Sequence, residues 1–216
     1  MMKETNTISI SVITRLPRYY RFLGNLLKQN VSRISSKELA EMMGLTASQI
    51  RQDLNCFGGF GQQGYGYNVS QLREKLAEIL GLDNSYTAIL IGAGNLGRAV
   101  AGQMTFEDKG FNLIGIFDID PLYKGMNIRG VPIMQDTMLE EFCRNNHPDT
   151  AVLCIPGDKA PALVEQLLSL GIVNFWNFSH YDIKLAHPEA NVENVHLSDS
   201  LMTLAFKIKN SQENVL

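Results

Sequence analysis

Apolar and polar positions follow two different rhythms along this chain, and the change falls near residue 80. Before it, apolar residues recur at helical spacing. From Leu16 to Lys28 they are Leu16, Tyr20, Leu23 and Leu27, and Pro17 fits only near a helix start. Between Ser35 and Leu54 the pattern predicts two short helices. Ser35 or Ser36 caps the first, Leu39, Ala40 and Met43 share one face, and Gly44 ends it in the left-handed conformation. Thr46 caps the second, with Ile50 and Leu54 turned inward. Gly58 to Tyr67 interleaves glycines with Phe60, Tyr65 and Tyr67, which suits a compact β-hairpin whose aromatics pack on something. A helix from Ser70 to Leu80 follows, with Leu72, Leu76 and Ile79 inward and Gly81 as its stop. The boundary is placed in residues 80–86, giving an expected winged-helix domain over 1–80 and a second domain over 86–216.

The second rhythm alternates strand-length apolar runs with helical stretches, the pattern of a Rossmann-like, doubly wound parallel sheet in the α/β class. Ala88 to Ile91 and Leu113 to Phe117 are the first two strands. Val131 to Met134, Thr150 to Ile155 and Ile172 to Trp176 are later ones, with helices over Thr137 to Asn145 and Ala160 to Leu170. The last helix, Ser198 to Asn210, is unlike a surface helix. Leu201, Leu204, Ala205 and Ile208 mark one face, Met202 and Phe206 another, and in its body only Thr203, Lys207 and Lys209 break the ring. A helix apolar nearly all round is buried on more than one side, and at this place in the chain a partner subunit is the natural cover.

The chemistry concentrates where the first strand turns into a helix. Gly92-Ala93-Gly94-Asn95-Leu96-Gly97 is a G-x-G-x-x-G set, and the next strand ends on Asp118. Gly92 permits the tight turn, Gly94 lets backbone approach a pyrophosphate, Gly97 lets the helix pack close, and the helix start offers free N–H groups. Asp118 can accept from a ribose hydroxyl pair and would repel a 2′-phosphate, so NAD(H) is expected over NADP(H). Ile155 and Pro156, at a strand end, are expected to line the pocket. Asn177 and Phe178, at the next strand end, are placed near the nicotinamide, whereas Phe175 and Trp176 read as core.

In the first domain, small Ala40, turn Gly44 and apolar Ile50 have helix-turn-helix spacing. That leaves Ser48, Gln49, Arg51 and Gln52 to face a DNA groove, with Arg51 the best contact. Ser35, Ser36 and Thr46 at the helix starts, and Phe60, Gln62 and Gln63 in the hairpin, complete the expected DNA-facing set.

Charge agrees with this division. Residues 1–80 hold 10 Lys/Arg against 6 Asp/Glu, a net +4, and residues 81–216 hold 9 against 16, a net −7. With 45% hydrophobic and 19% charged residues among 216, the composition is that of an ordinary soluble protein. No run of eighteen apolar residues exists, and the start lacks a secretory signal. The three cysteines, Cys56, Cys143 and Cys154, lie far apart, so reduced thiols, no metal site and a cytoplasmic location are expected.

With these pieces in order, the chain resembles the Rex family of redox-sensing transcriptional repressors. The resemblance is most specific over Leu16 to Leu23 with Tyr19-Tyr20-Arg21, over Ala47 to Tyr67, and over Ile91 to Asp120. It implies a homodimer that binds palindromic operator DNA with NAD⁺ or no nucleotide bound and is released by NADH, thereby reporting the NADH/NAD⁺ ratio. It also implies a domain-swapped terminal helix between the partner's two domains, and no catalytic residue. This chain departs from relatives at Gln52, Gln62-Gln63, Asn95 and Gln103. His196, with Asp199 three residues later, stands where some relatives use an acid to pair with an arginine, here Arg21. The alternatives are an NAD-dependent dehydrogenase, with His180 and Tyr181 as the nearest acid/base candidates, and a CoA- or nucleotide-binding interaction module.

Overall fold

A computed structural model describes residues 8–62 and 65–213. It divides into two compact units, residues 1–84 and 85–216. In the first, α1 (Ile10–Ile13) and α2 (Leu16–Lys28) precede β1 (Arg33–Ile34), α3 (Ser36–Met43), α4 (Ala47–Asn55), β2 (Gly61–Gln62), β3 (Gly66–Asn68) and α5 (Val69–Leu80). The three strands pair in the order β1-β3-β2, both pairs antiparallel, which with the helices makes a winged helix. Gly66 is required where β1 meets β3: its φ is +68°, and a Cβ there would lie 2.6 Å from the Ile34 carbonyl oxygen.

Local chemistry sets the helix ends. Ser35 and Glu38 form a capping box at α3, with Ser35 Oγ accepting from the Glu38 N–H at 3.1 Å and Glu38 Oε2 accepting from the Ser35 N–H at 2.8 Å. Gly44 closes α3 at φ +64°, and Thr46 Oγ1 caps α4 by accepting from the Gln49 N–H at 3.2 Å. The buried stripe of α2 is Leu16, Tyr19, Leu23 and Leu26, rotated by one position from the expected one; Tyr20 and Leu27 are half-buried. The hydroxyl of Tyr19 is satisfied inside the core, as shown below, so burying it costs little. Of the hairpin aromatics, Tyr67 is buried and Phe60 half-buried against the same core, but Tyr65 is 69% exposed.

The second unit begins with β4 (Tyr86–Ile91), α6 (Asn95–Gln103), β5 (Phe111–Asp118), β6 (Asn127–Ile128) and β7 (Val131–Gln135). It continues with α7 (Leu139–Asn146), β8 (Thr150–Leu153), α8 (Ala160–Ser169), β9 (Asn174–Asn177), α9 (Ile183–Ala186), β10 (Asn191–Asn194) and α10 (Leu197–Glu213). The sheet order is β10-β9-β8-β4-β5-β7-β6, parallel throughout except for the antiparallel edge strand β6. Successive crossovers run one way from β4 and the other way from β8, so the topological switch point lies between those two strands. Alternate residues serve the two faces. Ile89, Ile91, Phe117 and Leu153 pack with α7 and α8, while Ala88, Leu90, Ile116 and Val152 pack with Ala101 of α6 and Phe106.

One strand and one helix depart from expectation. The expected strand over Ile172 to Trp176 is displaced to Asn174–Asn177, because Gly171 at φ +86° and the buried Ile172 belong to the turn out of α8. The last helix begins at Leu197, and Leu201, Met202, Leu204, Phe206 and Ile208 are each more than half exposed within this chain. No helix among the described residues is long and apolar enough to cross a membrane.

Candidate nucleotide crevice and DNA-facing surface

At the switch point, β4 and β8 are in register with Ile91 beside Leu153, and the chain leaves both strands into one crevice. The turn out of β4 has no steric slack. Gly92 holds φ +97°, and a Cβ on it would lie 2.4 Å from the Cys154 carbonyl oxygen; one on Gly97 would lie 1.8 Å from the Gly92 carbonyl oxygen. Gly94 differs. Its φ of −63° is open to any residue, yet a Cβ there would meet nothing within 4 Å. The absent side chain at Gly94 therefore leaves a cradle in front of α6, and no side chain caps the N–H groups of that helix start.

Asp118 closes the other side. Its Oδ2 accepts from the Ala93 N–H, and its Oδ1 accepts from the Asp120 N–H at 2.8 Å. Those two bonds fix the carboxylate against the glycine turn, and each oxygen retains a lone pair for an incoming hydroxyl. Asp120 in turn caps the turn starting at Pro121 by accepting from the Leu122 N–H at 2.9 Å.

Gly92, Gly94, Asp118, Ile155 and Pro156 line one cavity of about 750 Å³, together with Ile119, Leu139, Cys154 and Leu163. An apolar floor beside a fixed acid and free amides suits a planar base attached to a ribose and phosphates. Burial pushes the Cys154 thiol up to about 12, so it stays protonated and unreactive at neutral pH. Ala93 is fully buried and contributes only backbone, whereas Asn95 and Leu96 are exposed at the start of α6. Asn177 and Phe178 do not line this cavity. Asn177 is fully buried with its amide committed to the loop that follows β9 and to the end of β10, and Phe178 packs edge-on against Trp176 with ring centroids 4.7 Å apart. His180 is exposed and lies beside His196, ring centroids 5.6 Å apart, while Tyr181 is half-buried in the core.

In the winged helix, α4 turns Ile50, Asp53 and Leu54 inward and leaves Ser48, Arg51 and Gln52 exposed, with Gln49 half-buried. Arg51 Nη1 donates to Ser36 Oγ at 3.2 Å, which holds the guanidinium at the start of α3. Ser35 and Thr46 spend their oxygens on caps, Phe60 packs inward, Gln62 lies in β2, and Gln63 falls outside the described residues.

Asp53 is a buried acid that helical spacing does not reveal. It is 2% exposed, and Arg15 grips it with a fork of two hydrogen bonds, Nε to Oδ2 and Nη2 to Oδ1, both 2.7 Å. The Tyr19 hydroxyl donates to Oδ2 at 2.7 Å. Burial works against the charged carboxylate, but the bonds from Arg15 and Tyr19 and the charge on Arg15 outweigh it and hold the group below its ordinary value. Burial first, and then the bond to Asp53 and its charge, push the Tyr19 hydroxyl well above its usual range, with Arg15 opposing them. The inner face of α4 is thereby bolted to the start of α2, and its outer face stays exposed.

Comparison with known proteins agrees with both halves. Residues 7–55 match the family model "Putative DNA-binding protein N-terminus", and residues 83–181 match "CoA binding domain". The chain is 54% identical over 98% of its length to the redox-sensing transcriptional repressor Rex of Caldanaerobacter subterraneus subsp. tengcongensis, covering 94% of that protein. It is 48% identical over 96% of its length to the Rex of Clostridioides difficile, covering 99% of it. Among solved structures it is similar to the crystal structure of RSP in complex with beta-NAD⁺ and operator DNA. The TM-score is 0.88, with 52% identity over 96% of this chain and 95% of that one. The structure of RSP with beta-NADH gives a TM-score of 0.87, with 50% identity over 96% and 97% of the two chains.

Proposed function

Because this chain belongs to the Rex family of redox-sensing transcriptional repressors, we propose that it represses transcription by binding operator DNA through α4 and the β2–β3 wing and that NADH releases it. It is a regulator and not an enzyme. The observation that carries this reading is the presence in one chain of two prepared surfaces: the exposed Ser48–Arg51–Gln52 face of α4, and the Gly92–Gly94–Asp118 crevice.

The crevice suits NAD(H). Gly92 and Gly94 with the first N–H groups of α6, from Asn95, Leu96 and Gly97, would hold the pyrophosphate. Asp118 would take the adenosine ribose, and Ile155 and Pro156 would flank the base. Asp118 disfavours a 2′-phosphate, so NADPH is a poor substitute. The nicotinamide brings a two-electron redox state; the protein distinguishes its two forms by binding and transfers no hydride. Ser35, Ser36, Thr46, Gln49 and Phe60 would support the DNA surface by capping or packing beneath it, Gln62 and Gln63 are kept as candidate contacts from the wing, and Arg51 would be its principal cation.

The exposed apolar ring of α10 supports a homodimer in which this helix is covered by the second copy, matching the two-fold symmetry of a palindromic operator. The expected setting is the cytoplasm. A hundred-fold loss of operator affinity on NADH binding requires about 2.7 kcal/mol of preference for the low-affinity state.

The test is to add NADH to a complex with operator-like duplex while following both DNA release and NADH absorbance. Release with constant absorbance is expected. Oxidation of NADH in the presence of a metabolite, or retention of DNA at saturating NADH, would overturn the proposal.

A further inference from the structure

The end of β9 holds a side chain that the nucleotide cavity does not use. Asn177 is fully buried and every polar atom of its amide is paired. Nδ2 donates to the Tyr181 carbonyl at 2.9 Å and to Asn194 Oδ1 at 2.8 Å, while Oδ1 accepts from the Ser179 N–H at 3.0 Å and from Ser179 Oγ at 2.6 Å. Three of these bonds fasten the loop 178–181. The fourth crosses to Asn194, the last residue of β10, and α10 begins shortly after it.

The loop also abuts the crevice. A Cβ on Gly157 would lie 3.5 Å from the His180 backbone nitrogen, and Gly157 directly follows the wall residues Ile155 and Pro156. On its far side the His180 ring faces His196, which directly precedes α10. The crevice wall, the loop and the root of α10 therefore form a chain of contacts.

The Asn177–Asn194 bond is not needed to align the strands. The backbone register of β9 and β10 runs unbroken from Asn174 beside Asn191 to Asn177 beside Asn194, and the Val195 N–H donates to the Asn177 carbonyl at 2.8 Å. A buried, fully paired amide cannot swing elsewhere without leaving a polar group unpaired, so a shift of the loop is passed on rather than absorbed.

We infer that Asn177 and Asn194 are a positioning pair that ties the crevice loop 178–181 to the root of α10, so that nucleotide state reaches this helix. The inference rests on the repressor reading and assigns it a transmitting bond.

Asn194 is exposed and outside the cavity, which makes it the residue to change in the full-length protein. The quantity to measure is the coupling factor, the ratio of operator affinity without NADH to that with saturating NADH. Asn194→Ala is expected to lower it about ten-fold, equivalent to about 1.4 kcal/mol, while the NADH affinity of DNA-free protein stays within about two-fold of wild type. Asn194→Asp keeps an acceptor for Asn177 Nδ2 and is expected to retain wild-type coupling. The inference is overturned if Asn194→Ala couples like wild type, if Asn194→Asp loses coupling as fully as Asn194→Ala, or if Asn194→Ala loses NADH affinity and thermal stability with its coupling factor intact. Absence of coupling in the wild type would instead sink the repressor reading, and the pair with it.

Discussion

Asp53 and Asp118 are each an acid fixed in place by hydrogen bonds, and the two units treat them differently. In the winged helix, Asp53 lies on the buried side of α4, and its partners are side chains, Arg15 and Tyr19. In the Rossmann unit, Asp118 stands at the wall of the crevice and its partners are backbone N–H groups, those of Ala93 and Asp120. The exposed face of α4 is thus set by an ionic clamp on its buried side. The nucleotide surface is aimed by backbone conformation and leaves its acid open. One consequence is that losses should fall on different residue types: on glycines in the crevice, and on charged side chains on the buried side of α4.

The largest effect is expected at Gly97. A Cβ there would sit 1.8 Å from the Gly92 carbonyl oxygen, so Gly97→Ala forces α6 off β4 at a cost of about 3 kcal/mol or more. Trp176, the only tryptophan, lies in this unit and reports its urea unfolding by fluorescence. NADH binding is expected to vanish while operator binding survives; an unshifted Trp176 transition would show that the glycine turn is not sterically required.

Asp53→Ala should come next, at about 3 kcal/mol, because it leaves Arg15 without its partner; the 25% exposure of Arg15 keeps the cost at the low end for a buried pair. Operator affinity should fall with the Trp176 transition unmoved. The pH dependence follows from sign. The folded-state value of Asp53 is depressed, so its contribution is present above the ordinary carboxylate range and is lost as pH falls through the lower folded value. Acid titration of the winged helix, followed by circular dichroism, should therefore be flatter at its acid end in Asp53→Asn than in wild type.

Two smaller effects sharpen the division of labour. Arg51→Ala should lower operator affinity by about 2 kcal/mol with NADH affinity kept, measured by anisotropy of a labelled duplex. Asp118→Ala should weaken NADH by about 1.4 kcal/mol, or about ten-fold, with nucleotide-free operator binding kept, measured by calorimetry. Loss of both activities in either variant would contradict the separation.

Features fixed by a few neighbouring residues were legible in the sequence. The glycine turn and the place of Asp118 at a strand end could be read because their demands are local, and so could the caps at Gly44 and Thr46 and, to within one residue, Ser35. Asp53 could not, since its partner Arg15 lies 38 positions away and an aspartate in a helical pattern reads as solvent-facing. The bond from the Tyr19 hydroxyl to the same carboxylate explains the rotation of the α2 stripe toward Tyr19. Strand β10, Asn191–Asn194, has only Val192 as an apolar residue and pairs along a single edge, so no alternation announces it. Asn177 is legible as a strand-end residue near the crevice, but its commitment to Asn194 depends on a pairing that the sequence does not display.

The most direct test holds total nucleotide constant, varies the NADH/NAD⁺ ratio, and measures the fraction of operator bound by the full-length protein. The account predicts that bound operator falls steadily as the ratio rises, with no consumption of NADH. An operator occupancy that stays level across the whole range of ratios would contradict it.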